Sequence, residues 1–152
     1  MNSTVFLTVF SGVITYVLGQ LIVKLVIDPV QEMKKTIGQI SHALIEHANV
    51  ISNPGVPSQE AMRETSKLLR QLSSQLQAHL YLIPSYPVTT KIFRLPHKKQ
   101  VSAASSSLIG LSNSVFHANE HTYENNAKRV EIICDSLGIY MSEADRCPKE
   151  TT

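Results

Sequence analysis

Residues 1–23 read MNSTVFLTVFSGVITYVLGQLIV and contain no Asp, Glu, Lys or Arg; the first charge is Lys24. A hydrocarbon layer of ~30 Å is crossed by ~20 mostly apolar residues in a helix. The stretch from Val5 to Ile27 meets that length, with Gln20 and Lys24 its only strongly polar members. Lys24 sits near the end, where a long stem carries an ammonium back to the interface. A cleaved signal peptide has basic residues before a short apolar core and a small-residue cleavage site after it. None of these is present, so the segment reads as an uncleaved signal-anchor.

The flanking charges set its direction. No basic side chain precedes the apolar run, and Lys24, Lys34 and Lys35 follow it. The positive-inside rule then puts the N-terminus outside and the rest of the chain in the cytoplasm. The two cysteines, Cys134 and Cys147, suit a reducing compartment, and their positions leave a disulfide between them open. Ser11, Gly12, Thr15 and Gly19 recur at spacings that give one face small side chains, together with Thr8. Such a face lets two transmembrane backbones approach closely, which points to self-association or to a second membrane protein.

After the apolar run, 125 residues remain, from Asp28 to Thr152. That length holds one domain with its own core. The whole chain is 43% hydrophobic and 17% charged, with a net charge of +2, which excludes a disordered or strongly nucleic-acid-like composition. Asp28 and Pro29 read as the cap and first residue of a helix. Its apolar stripe is Val30, Met33, Ile37, Ile40, Leu44, Ala48 and Ile51, and Asn53-Pro54-Gly55 stops it. A second helix follows Pro57-Ser58, with Met62, Thr65, Leu69, Leu72, Leu76 and Leu80 on its stripe. Pro84 and Pro87 end it. Residues 85–96 read as a loop with at most one short turn near Lys91. A third helix after Pro96 presents Val101, Ala104, Leu108, Leu111 and Val115. A fourth carries Tyr123, Ala127, Val130, Ile133, Cys134 and Leu137, and Gly138 is placed to close it in a left-handed C-cap. Gly38 and Gly110 read as sites of close helix contact. No segment reads as a strand.

Helix length has a geometric consequence. The first soluble helix rises roughly 35 Å from the membrane and the second returns by a similar amount. The connection over residues 81–100 is therefore expected back at the lipid surface. It carries Tyr81, Tyr86, Lys91, Phe93, Arg94, Lys98 and Lys99. Between Glu64 and Glu120 lie 55 residues with no acid and six cations. Rings and cations of this kind, with Lys24 beside them, suit an interface with anionic lipid. Nucleic acid is not expected as a partner, because no binding motif accompanies these few cations.

Catalytic motifs are scarce. His117, Glu120 and His121 match H-x-x-E-H, a zinc-protease pattern. The match falls at a helix break, and only 31 residues follow, with Glu124 and Glu131 as further donors. A complete ligand set is what a metal site requires, so the three residues read as polar members of a turn. His47 and His79 lie on or beside apolar stripes and read as hydrogen-bonded boundary histidines. No nucleophile elbow, phosphate-binding loop, CxxC pair or dinucleotide fingerprint is present, and no cofactor is expected.

Three stretches carry a resemblance. They are Val17-Leu18-Gly19-Gln20 running on to Asp28-Pro29-Val30-Gln31-Glu32, the helix over residues 37–49, and Ser105-Ser106-Ser107-Leu108-Ile109-Gly110-Leu111-Ser112-Asn113-Ser114. Together they resemble an uncharacterised family of small bacterial single-pass membrane proteins with a cytoplasmic helical domain. The resemblance implies a bacterial inner membrane and brings no activity, cofactor or catalytic residue.

The sequence thus predicts an all-α protein with an anchor over residues 1–27. An antiparallel bundle of about four helices over residues 28–141 and a polar tail over 142–152 complete it. The expected role is a non-catalytic, membrane-anchored interaction or scaffold module, with the lipid bilayer and a second copy or another membrane protein as its partners. A lipid- or small-ligand-binding domain using residues 81–100 is the alternative, and a metal-dependent enzyme at His117, Glu120 and His121 stands third.

Overall fold

A computed structural model describes residues 2–117 and 121–141, and every regular element among them is helical. Helix α1 (Asn2–Ile22), a π-helical segment (Val23–Ile27) and α2 (Asp28–Glu46) run into one another without a break. Asp28 is therefore not an N-cap. It is helical, its N–H donates to the Val23 carbonyl five residues back, and its carboxylate takes Lys24 Nζ at 3.0 Å. The widened turn sits just before Pro29. A proline within an ordinary α-helix loses one donor and drives its ring against the carbonyl four residues back, here that of Leu25. A π-turn relieves this without ending the helix.

The stripe of α2 buries Val30, Met33, Thr36, Ile40, Ala43 and Leu44. At His47 the backbone leaves the helical region (φ −99°, ψ 16°), and α3 (Ala48–Ser52) restarts with a new phase. That break turns Ala48 out to solvent and brings Val50 in beside Ile51, so the expected single stripe divides in two. Gly55 (φ 76°) makes the next turn, and its N–H donates to the Val115 carbonyl at 2.9 Å. Helix α4 (Gln59–Leu82) starts on Ser58, whose Oγ accepts from the Ala61 N–H. It ends at Ile83, which is extended as a residue before proline prefers to be.

The segment after Pro84 is not a loop. Tyr86–Phe93 forms α5, with Pro87 in its first turn, where a missing N–H costs nothing. Lys98–Ser114 forms α6; the Gln100 side chain accepts from the His97 N–H at its start. Thr122–Leu137 forms α7, closed by Gly138 in the left-handed region (φ 68°), as its position suggested. Its buried face is Thr122, Asn126, Ile133, Cys134 and Leu137; Tyr123 faces solvent, contrary to the stripe drawn through it.

Helix α4 lies between α2 and α6, and α6 packs on α7. Cross-bonds fix the directions. Thr36 meets His79 and His47 meets Thr65, so α2 and α4 are antiparallel. Ser66 donates to the Ser112 carbonyl and Ser73 to the Ser105 carbonyl, so α4 and α6 are antiparallel as well. These serines and Ala104 let the two backbones come close. The core runs the length of the bundle through Met33, Ile40, Leu69, Leu76, Leu108, Leu111 and Ile133, all fully buried. Burying a side chain of this size contributes about 1.5–3 kcal/mol.

Candidate functional site

The surface with most to explain is α1. It belongs to a helical run long and apolar enough to cross a membrane, and the apolar window of that run is 0% buried within the chain. Ser11, Gly12, Thr15 and Gly19 are all exposed. Thr8 and Thr15 donate their hydroxyls to the carbonyls of Thr4 and Ser11, one turn back, so these polar groups need no water. A Cβ on Gly12 or Gly19 would meet nothing of this chain, so the fold itself does not require glycine at either position.

The second surface is the end of the bundle from which α1 departs. Tyr86 Oη lies 3.7 Å from Met33 Sδ, which places α5 beside the first turn of α2 after Pro29. Lys91, Arg94, Lys98 and Lys99 are exposed on and just after α5. The aromatic residues divide. Tyr81 is 84% exposed, whereas Tyr86 and Phe93 turn inward against the core. The Tyr86 hydroxyl donates to the Pro96 carbonyl at 2.7 Å, and burial pushes its phenol above the ordinary range. The outward apolar residues are Leu82, Val88 and Ile92, which the sequence reading passed over. Val88 and Ile92 are four apart on α5, a signal visible only once Pro87 is taken as a helix start. Non-glycine residues in the left-handed region close both ends of α5, Ser85 (φ 46°) and Arg94 (φ 53°). Leu95 then donates back to the Thr90 carbonyl and is buried.

The H-x-x-E-H residues lie at the opposite end. His117 follows the last turn of α6, and His121 precedes α7. Glu120 falls outside the described residues. Glu124 is engaged by Lys128 Nζ at 2.5 Å, which holds its carboxyl below the usual range. Among the described residues no group of three His, Cys, Asp or Glu is placed to hold a metal ion. A shallow groove of about 270 Å³ opens here, lined by Gly110, Asn113, Ser114, His117, Thr122, Asn125 and Arg129. Its floor is structural. Asn126 donates to the Ile51 carbonyl and accepts from Ser114 and Arg129, tying α3, α6 and α7 together. Gly110 leaves room for the Arg129 side chain: a Cβ there would lie 2.5 Å from Nε, and the flexible arginine would have to move aside. Gly38 is not needed in this way; it is exposed, and nothing lies near it.

The two boundary histidines brace α2 against α4. Thr36 Oγ1 donates to the Glu32 carbonyl, so it accepts from His79 Nε2–H at 2.9 Å. Thr65 likewise donates to the Ala61 carbonyl and accepts from His47 Nδ1–H at 3.0 Å. His79 Nδ1 is left buried with no hydrogen-bond partner. Burial holds the His79 ring below its ordinary value, an effect that the Glu32 charge partly offsets.

No family model, curated protein or solved structure matches this chain.

Proposed function

We propose that the protein is a membrane-anchored, non-catalytic helical module. In this reading α1 spans the inner membrane of a bacterium with its N-terminus outside. The helices α2, α4, α6 and α7 form a cytoplasmic four-helix bundle that acts as an interaction or scaffold unit. The observation that carries it is the bare apolar surface of α1. Val5, Phe6, Leu7, Val9, Phe10 and Val13 are each more than half exposed. Leaving a side chain of that size in water forgoes about 1.5–3 kcal/mol, and a contiguous surface of this extent marks a membrane or an obligate partner. The cation asymmetry around the apolar run supports the orientation. The resemblance to small bacterial single-pass proteins supports the choice of membrane.

The partner is a second copy of the chain or another membrane protein, met through the small face of Ser11, Gly12, Thr15 and Gly19. The test is fractionation and mass. The full chain is expected in the membrane pellet after alkaline carbonate washing, and a mass above the monomer is expected in mild detergent. Release into the supernatant would sink the anchor. A monomer that crosslinks to nothing in its native membrane would sink the interaction role. Stoichiometric zinc, lost in His117→Ala and His121→Ala, would replace this reading with a metal-dependent enzyme.

A further inference from the structure

We infer that α5 is a second membrane contact, a short interfacial helix that seats the near end of the bundle on anionic lipid. The inference rests on the anchor reading of α1. Three observations carry it. The first is position. Tyr86 touches Met33, and Met33 lies nine residues beyond Lys24 in one continuous helix, about 14 Å along the axis at 1.5 Å per residue. That contact holds α5 at the end of the bundle nearest α1, within side-chain reach of the headgroup layer when α1 is inserted.

The second observation is the surface of α5 itself. Thr89 and Thr90 are buried, while Val88 (59%) and Ile92 (68%) are exposed one turn apart. Leu82 (61%) and Tyr81 (84%) precede them at the end of α4. An apolar face of this kind lies in the interface plane, buried ~5–10 Å at the boundary of headgroups and acyl chains. The third is charge. Lys91, Arg94, Lys98 and Lys99 are exposed on α5 and just after it, and the sequence has no acid between Glu64 and Glu120. Apolar side chains accompanied by cations complement a negatively charged leaflet, and the acids on the adjoining turns of α2, Asp28 and Glu32, are paired with Lys24 and Lys35. A protein groove would not need the cations, and a free anion would not need the apolar face.

The chain contains no tryptophan, so a single introduced one reports alone. Ile92→Trp, Val9→Trp and Val56→Trp each replace an exposed side chain, on α5, on α1 and at the far end of the bundle. The full-length variants are reconstituted in vesicles of phosphatidylglycerol and phosphatidylethanolamine with brominated acyl chains. A tryptophan at the acyl boundary is expected to show blue-shifted emission and roughly twofold quenching, in Ile92→Trp and in Val9→Trp but not in Val56→Trp. In the Ile92→Trp background, Lys91→Gln, Arg94→Gln, Lys98→Gln and Lys99→Gln together are expected to return the emission to that of a water-exposed ring. So is replacing the anionic lipid with phosphatidylcholine. Quenching of Val9→Trp without quenching of Ile92→Trp overturns the inference and leaves the anchor standing. No quenching of Val9→Trp removes the anchor and the inference with it. Equal quenching of Ile92→Trp in neutral vesicles overturns the anionic-lipid assignment. Equal quenching of Val56→Trp shows that the domain lies on its side, which overturns the seating at α5.

Discussion

His79 is the residue whose chemistry is most constrained by its place. Its Nε2–H is used by Thr36, and its Nδ1 faces a buried site with no acceptor. Protonation would put a donor there with nothing to receive it. The folded value therefore lies below the ordinary 6.5, and between the two the unfolded chain binds more protons. Stability is level above about pH 6.5 and falls as the pH drops through that window. His79→Gln keeps an N–H for Thr36 and does not titrate. Its denaturant midpoint is expected to fall less than that of the parent between neutral and mildly acidic pH. Gly38 offers the reverse case, a residue with no reason to be what it is. It is exposed in the middle of α2 with open space around it. Gly38→Ala is expected to stabilise the fold by about 0.5–1 kcal/mol, read as a rise in the thermal midpoint.

At the scale of elements, α5 depends on few contacts. It is eight residues long, too short to be stable alone, and is held by Thr89, Thr90 and the Tyr86 hydroxyl. Tyr86→Phe leaves the Pro96 carbonyl without its donor, at a cost of about 1 kcal/mol. The loss is expected to be local, seen as faster amide exchange in Tyr86–Phe93 with little change in α4 or α6. The elements also show what a sequence reveals and what it hides. Helix α4 is legible because Ser58 caps it and one stripe runs from Met62 to Leu76. Helix α5 is hidden because Pro87 can end one helix or begin another, and local pattern does not choose. The π-turn is hidden for a related reason: Pro29 suggests a start, and only the preceding helix shows that the chain goes through. Asn126 is invisible to periodicity, since its burial depends on Ile51 and Ser114, which are distant in sequence. The cations of the near surface could be read directly, but their apolar neighbours Val88 and Ile92 could not until α5 had an axis.

For the whole molecule, one main core joins α2, α4, α6 and α7, with a smaller cluster of Val50, Met62 and Val115 at the far end, so damage to the main core is felt across the bundle. Leu108 is fully buried in the middle of α6. Leu108→Ala removes its methyl groups and leaves a cavity, at an expected cost of about 2–5 kcal/mol. A domain of this kind has only about 5–15 kcal/mol in total, so the denaturant midpoint of the reconstituted protein should drop by a large fraction. The slope of the transition should stay the same, because the surface exposed on unfolding is nearly unchanged.

The π-helical segment Val23–Ile27 has one more consequence. Because the chain passes through it without a linker, α1 and α2 are one continuous helix with a fixed angular phase between them. Torque applied to α1 is delivered to the bundle, and a change in its depth is delivered as a piston stroke. Two chains joined through their first helices would hold their bundles at one azimuth, able to face each other in a single orientation. Adding one residue between α1 and α2 would turn that azimuth by about 100° and lengthen the shaft by about 1.5 Å.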